Sequence, residues 1–403
     1  MAPRQLKIGY FVLEGLNSFG TVFYIYYFYF FTRKVFGFSD QANLELAALN
    51  GCVTMFASWW GGRFAQRFGF SGALKLGLIL MLMALAIGAF LNSVAGQILV
   101  MVVVALGMCF TWPTLEAILC EDETRAGLQR VVGIFNVVWA GTAAVADFAG
   151  GAMLEKLGLR SIFYVPAAIV LGELALILWL ANRAGIPPLS SAASLVKDQG
   201  RHGRYPTIPR PIAQPRLFRR MAWLANPFAY VAINTLVAVI PGVAKRLDLS
   251  TMAAGFCCSV WCFARLGSFF AFWLWTGWHY RFRWLVTAYA ALVLTFGIIV
   301  LAPNLMILVL AQMIFGCALG LIYYSSLFYS MDLSDTKGTH GGIHEAAIGL
   351  GNFAGPALGA ASLHFLPQHP SSGAVAVNLL LLLGLGGLVA VWAKGRGVVS
   401  NQE

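Results

Sequence analysis

Residues 182–220, NRAGIPPLSSAASLVKDQGRHGRYPTIPRPIAQPRLFRR, decide the fold through their own chemistry and through what flanks them. The stretch carries Arg183, Lys197, Arg201, Arg204, Arg210, Arg216, Arg219 and Arg220 against a single acid, Asp198. Pro187, Pro188, Pro206, Pro209, Pro211 and Pro215 withhold backbone donors and interrupt helical runs, so it reads as a linker rather than a helix. Six apolar segments precede it, at about 8–31, 44–61, 74–92, 96–118, 131–152 and 160–181. Six more follow, at about 222–244, 251–275, 284–302, 305–327, 343–365 and 373–393.

Each segment has the length of a membrane-spanning helix, about 20 residues. The predicted fold is therefore an all-α integral membrane protein of two six-helix bundles, 1–181 and 221–403, joined by the linker 182–220. Composition agrees: of 403 residues 59% are hydrophobic and 11% charged, with a mean hydropathy of +0.76. Twelve spans and short loops leave no length for a soluble catalytic domain.

A net charge of +11 invites a nucleic-acid reading, but the basic residues follow membrane topology instead. Lys and Arg accumulate in cytoplasmic loops. With the N-terminus inside, 20 of the 27 basic residues fall on the inner side and 6 on the outer, with Arg265 inside a span. Both termini are thus predicted cytoplasmic, in a bacterial plasma membrane. Glu14 interrupts the first apolar run and no small-residue cleavage site follows it, so that run reads as a span rather than a signal peptide. Cys52, Cys109, Cys120, Cys257, Cys258, Cys262 and Cys317 all lie in spans or at their ends and read as small packing residues. No metal-ligand spacing and no cofactor motif is present.

The halves repeat one another weakly. Leu115 is followed nine residues later by Thr124, Arg125 and then Gly127; Leu327 is followed nine residues later by Thr336, Lys337 and then Gly338. Two related halves around a midplane site is the build of many secondary transporters.

The six-plus-six plan, the loop after the second span and the glycines of the eleventh together resemble the major facilitator superfamily. The family's loop reads G-x-L-A-D-R-x-G-R-R. Here it reads Gly62-Arg63-Phe64-Ala65-Gln66-Arg67-Phe68-Gly69-Phe70-Ser71, keeping Gly62, Arg67 and Gly69 and replacing the aspartate by Gln66. In the family that aspartate joins a charge network that latches the cytoplasmic gate. Gly342, Gly351, Gly355-Pro356 and Gly359 are spaced like the antiporter signature of drug-exporting members, although the family carries it on span five. The resemblance implies a gating role for these residues and a direction leaning to export. Small residues also allow plain close helix packing, and Pro356 allows a bend.

Ionisable residues inside a span cost at least about 2.5–3.5 kcal/mol at its centre and usually face a cavity or a partner. In span one, Glu14, Asn17, Ser18 and Thr21 share one helical face. The resemblance places spans one, four, seven and ten around a central cavity. Span four offers Trp112 and Glu116, span seven Tyr230 and Asn234, span ten Tyr323, and span eleven Asn352 beside Glu345. Asn234 is the expected counterpart of Asn17 across the pseudo-twofold. Tyr24 is the aromatic of span one placed to stack on a ligand, while Tyr26 to Phe31 approach the outer interface. Arg265 needs an anion, either Glu14, Glu116 or Glu345, or a carboxylate or phosphate of the substrate. Burial disfavours an ionised carboxylate, so Glu14 and Glu345 are candidate proton sites, with Asp147 a third. Glu345 also suits a helix N-terminus as a dipole-complementing charge.

The expectation is a secondary active transporter of a small organic solute, working by alternating access as a monomer in the lipid bilayer and coupled to protons. A sodium-coupled or passive uptake carrier, or a transporter-like membrane sensor, are the alternatives. An enzyme is not expected: His340, His344, Asp332, Asp335 and Glu345 lack the spacing of a catalytic motif.

Overall fold

A computed structural model describes residues 3–120, 125–184, 215–332 and 337–400. All regular structure among the described residues is helical. The first half comprises α1 (Pro3–Phe36), α2 (Asp40–Phe68), α3 (Phe70–Gly88), α4 (Val94–Cys120), α5 (Arg125–Leu157) and α6 (Ser161–Ala184). The second comprises α7 (Pro215–Arg246), α8 (Thr251–Cys258), α9 (Val260–Leu274), α10 (Phe282–Val300), α11 (Leu305–Asp332), α12 (Lys337–Phe365) and α13 (Ser372–Ser400). Helices α8 and α9 form one span, Thr251–Leu274, broken at Ser259. The Ser259 hydroxyl donates to the Phe256 carbonyl at 3.4 Å, a local bond that competes with the helical ladder.

Ten spans are long and apolar enough to cross a membrane by length and composition. Helices α1 and α2 fall outside that set because tyrosine, asparagine and glycine lower their mean hydropathy. Both are nevertheless built into the bundle: Phe23, Tyr27 and Tyr29 of α1 and Asn43 and Ala47 of α2 are at most 1% exposed. Most of the basic linker, residues 185–214, lies outside the described residues. Its last part, 215–220, is helical and opens α7, because proline is well suited to a first helical turn.

The corresponding helices α2 and α8 begin alike. Ser39 accepts from the Ala42 amide at 3.2 Å and Ser250 from the Ala253 amide at 3.1 Å, each satisfying an orphan donor of the first turn. Between α2 and α3 the only connecting residue is Gly69, at φ +88°, a conformation that disfavours any side chain.

The halves meet along α2 against α12 and α7, α5 against α8 and α9, and α1 against α7. Glycine permits the closest crossings. A Cβ on Gly51 would strike the α12 backbone at Asn352 and Phe353, and one on Gly151 would strike the Thr251 carbonyl. Asp40 at the end remote from the termini pairs with Arg33 at 2.5 Å and, across the halves, with Arg246 at 4.0 Å. Glu155 there accepts from the Met252 amide at 3.0 Å. Near the termini α4 and α11 make no such seam among the described residues.

Candidate functional site

The polar face of α1 is buried. Glu14 and Ser18 are 0% exposed, Asn17 2% and Thr21 1%. Ser18 donates to Glu14 Oε1 at 2.9 Å, and Thr21 donates to the Asn17 carbonyl at 2.6 Å. Glu14 Oε2 and both polar atoms of the Asn17 amide have no hydrogen-bond partner. Glu116 of α4 and Glu345 of α12 join this face: the three carboxylates lie within electrostatic reach of one another. One half supplies two of them and the other half the third. Glu116 Oε1 also has no partner.

An aromatic floor adjoins the acids. Tyr323 of α11 lies within reach of Glu14, Glu116, Glu345 and Tyr230. Its ring is 5.3 Å from Trp139, 5.7 Å from Phe269, 5.7 Å from His344 and 6.4 Å from Tyr230. Trp112 stands 6.0 Å from Trp139, edge to face. Four helices of the second half and two of the first thus converge on one aromatic cluster.

Beyond Trp139 lies Arg265, 3% exposed. Its guanidinium carbon sits 4.6 Å from the Trp139 ring and 4.8 Å from the Trp261 ring. No carboxylate among the described residues pairs with it, and its Nε has no acceptor. The expected pairing with Glu14, Glu116 or Glu345 is therefore not formed. The acid in its field is Asp147, whose Oδ2 accepts instead from the Cys262 thiol at 3.5 Å. Desolvating an unpaired ion costs several kcal/mol. A cation–π contact returns about 0.5–2 kcal/mol. Two rings offset part of that cost, and an anion is needed for the rest.

Three other expectations are corrected. Tyr24, 2% exposed, packs on Phe28 and Phe163 within the first half rather than facing the chamber. Tyr26, expected near the interface, stacks on Trp261 at 6.1 Å. The register explains both: two residues along α1 turn the ring through more than half a circle. Asn234 does not meet Asn17; it donates to the Asn352 carbonyl at 2.9 Å and ties α7 to α12.

The gate and hinge candidates lie mostly at helix contacts. Gly351 and Gly355 abut the Pro227 and Val231 carbonyls of α7, while Gly359 touches Leu44 of α2. Pro356 lies within an unbroken α12. Gly342 falls on that helix, with its surroundings outside the described residues. Gly62 is buried in α2, and Arg67 is exposed over the Phe68 ring at 5.3 Å.

The sequence model described as Major Facilitator Superfamily matches residues 76–356. The chain belongs to that superfamily. It is accordingly an integral, multi-pass membrane protein with the superfamily's six-plus-six bundle. A stretch of 154 residues is 29% identical to the methylenomycin A resistance protein of Bacillus subtilis (strain 168), covering 37% of this chain and 32% of that protein. The chain thus matches about a third of that relative's length. Among solved structures it is similar to the human organic anion transporter TETRAN, with a TM-score of 0.67 at 14% identity over 96% of this chain and 100% of that one. It is also similar to a peptide transporter POT, with a TM-score of 0.70 at 15% identity over 98% of this chain and 95% of that one. At such identities these likenesses show the fold.

Within this superfamily member, Trp261 and Phe269 are the site neighbours that sequence reasoning passed over, while His344 and Cys262 were noted there without a place in the site. Trp261 had a signal, since it precedes Arg265 by one helical turn on the same face. Phe269 has the same spacing on the other side. Nothing in the sequence ties Cys262 to Asp147, which is 115 residues away.

Proposed function

We propose that this chain is a secondary active transporter that carries a small organic solute by alternating access, coupled to protons and working in the export direction. The observation that carries the reading is the buried set of Glu14, Glu116 and Glu345, contributed by both halves and incompletely hydrogen-bonded. Carboxylates that repel one another when ionised are a place where proton number changes. A site shared by two bundles changes when the bundles move. Proton uptake and bundle motion are thereby linked, with Glu14 and Glu345 as the exchanging groups and Asp147 as a secondary one.

The solute would contact Asn17, Trp112, Tyr230, Tyr323 and Arg265. Bundles 1–181 and 221–403 would rock about it, with residues 182–220 as the tether. Export is supported by the glycine spacing of α12 and by the partial similarity to a resistance protein. The arrangement of basic residues supports cytoplasmic termini in a bacterial plasma membrane. Both halves of one chain supply the site residues, which supports a monomer.

The test is proton movement in proteoliposomes, read with a trapped pH dye, across sugars, organic acids, amines and lipophilic cations. A solute-dependent pH change is expected, abolished in Glu345→Gln and in Glu14→Gln. Transport that follows sodium, or neither ion, would replace proton coupling with the uptake-carrier reading. Binding without any flux would favour a sensor.

A further inference from the structure

The site brings acids and donors close together. The acids lie on α1, α4 and α12. Buried donors without acceptors, from α4, α5 and α9, gather about one ring, Trp139. Arg265 Nε has no acceptor, nor has the Trp112 indole nitrogen, nor the Asn136 amide nitrogen. Each is tied to Trp139: Arg265 by the cation–π contact at 4.6 Å, Trp112 by ring contact at 6.0 Å, and Asn136 by accepting the Trp139 indole proton at 3.1 Å. Buried donors are ordinarily satisfied, and the charged donor is the most demanding of the three. Asp147 lies in the field of Arg265 but makes no hydrogen bond to any of these donors; its Oδ2 accepts from the Cys262 thiol.

The surrounding surface is aromatic. Tyr26 stacks on Trp261, and Phe269 and Tyr323 close the other side of Trp139.

We propose that Arg265, with Trp112 and Asn136, forms the subsite for the carboxylate of an aromatic organic anion, whose ring lies against Trp139, Tyr230 and Tyr323. This rests on the transporter reading and names its substrate class. The guanidinium carbon lies 4.6 and 4.8 Å from two indole rings, and its fork of donors suits a planar, two-oxygen acceptor. A neutral solute could satisfy a donor but would leave the guanidinium charge without a counter-charge.

The test is calorimetric titration of the full chain in lipid nanodiscs with three probes of one shape: 2-naphthoate, 2-naphthamide and 2-naphthylmethylamine. The wild type is expected to bind naphthoate about tenfold or more tighter than the amide, the scale of one charged hydrogen bond. Arg265→Gln is expected to remove that preference and Arg265→Lys to retain part of it. Trp112→Phe keeps the ring, loses the donor and should weaken naphthoate alone, so the proposal stays testable if Arg265→Gln does not fold. Equal or tighter binding of the amide or amine, no binding of naphthoate, or an Arg265→Gln preference equal to wild type would each overturn it. Counterflow separates the two readings. Naphthoate bound with this selectivity but never carried would contradict transport and leave the subsite standing. A cation carried equally well by wild type and Arg265→Gln would overturn the subsite and leave transport standing.

Discussion

The two ends of the bundle are held by different physics. At the far end the halves are joined through backbone and charge. Gly151 lies against the Thr251 carbonyl, Gly242 against the Asp40 carboxylate, and Asp40 faces both Arg33 and Arg246. Asn43 donates across the halves to the Ala238 carbonyl at 3.4 Å. Near the termini the corresponding approach is side chain on backbone, with Gly133 facing the Trp273 ring. A backbone contact cannot yield without moving a helix, whereas a partly exposed ring can swing away. The difference teaches that the far end is closed by rigid backbone contacts, while the other end has an adaptable side chain at its seam.

Exchanging one glycine at each end is the strongest way to break this comparison. Gly151→Ala should lower the thermal midpoint and trap the far end partly open, a cost of about 1–3 kcal/mol for overpacking. Gly133→Ala should cost clearly less, because Trp273 moves. Equal losses in thermal unfolding of the two variants would remove the distinction.

A gentler probe is Asp40→Asn. The side chains it releases are 24% and 50% exposed, so each ion pair is worth about 0.2–1 kcal/mol. The far end should open a few-fold more often, read as faster maleimide labelling of Val239→Cys in a chain without its native cysteines. Unchanged labelling would show that the glycine contacts alone hold the seal.

The smallest effect on flux belongs to Gly69→Ala. Its φ of +88° strains any side chain, yet nothing lies within 4 Å. Stability should fall by about 1 kcal/mol with flux intact. A loss of flux at full stability would instead give this turn a gating role.

The bundle was legible in the sequence because lipid imposes long apolar runs and the basic residues mark the sides. The polar face of α1 was legible for a related reason: Glu14, Asn17, Ser18 and Thr21 repeat at helical spacing, and only a protein interior tolerates them. Contacts between helices were not legible. Arg265 announced its need for a counter-charge, but its approach to two indoles depends on how α5 and α9 cross. Tyr24 and Tyr26 exchanged roles because a two-residue step on a helix reverses the face, and sequence alone gives no origin for that rotation. The glycines of α12 were visible, while their fit against the α7 carbonyls was not.

Reciprocal movement of the two ends is the central claim, and spin-label distances test it most directly. One pair at Phe90 and Met306 would report the far end, where both side chains are exposed at 81% and 72%. A second pair at Gly72 and Arg281 would report the other end. On changing pH or adding a transported solute, the account predicts that the first distance lengthens as the second shortens. Two distances that stay fixed, or that change together, would contradict alternating access by this chain.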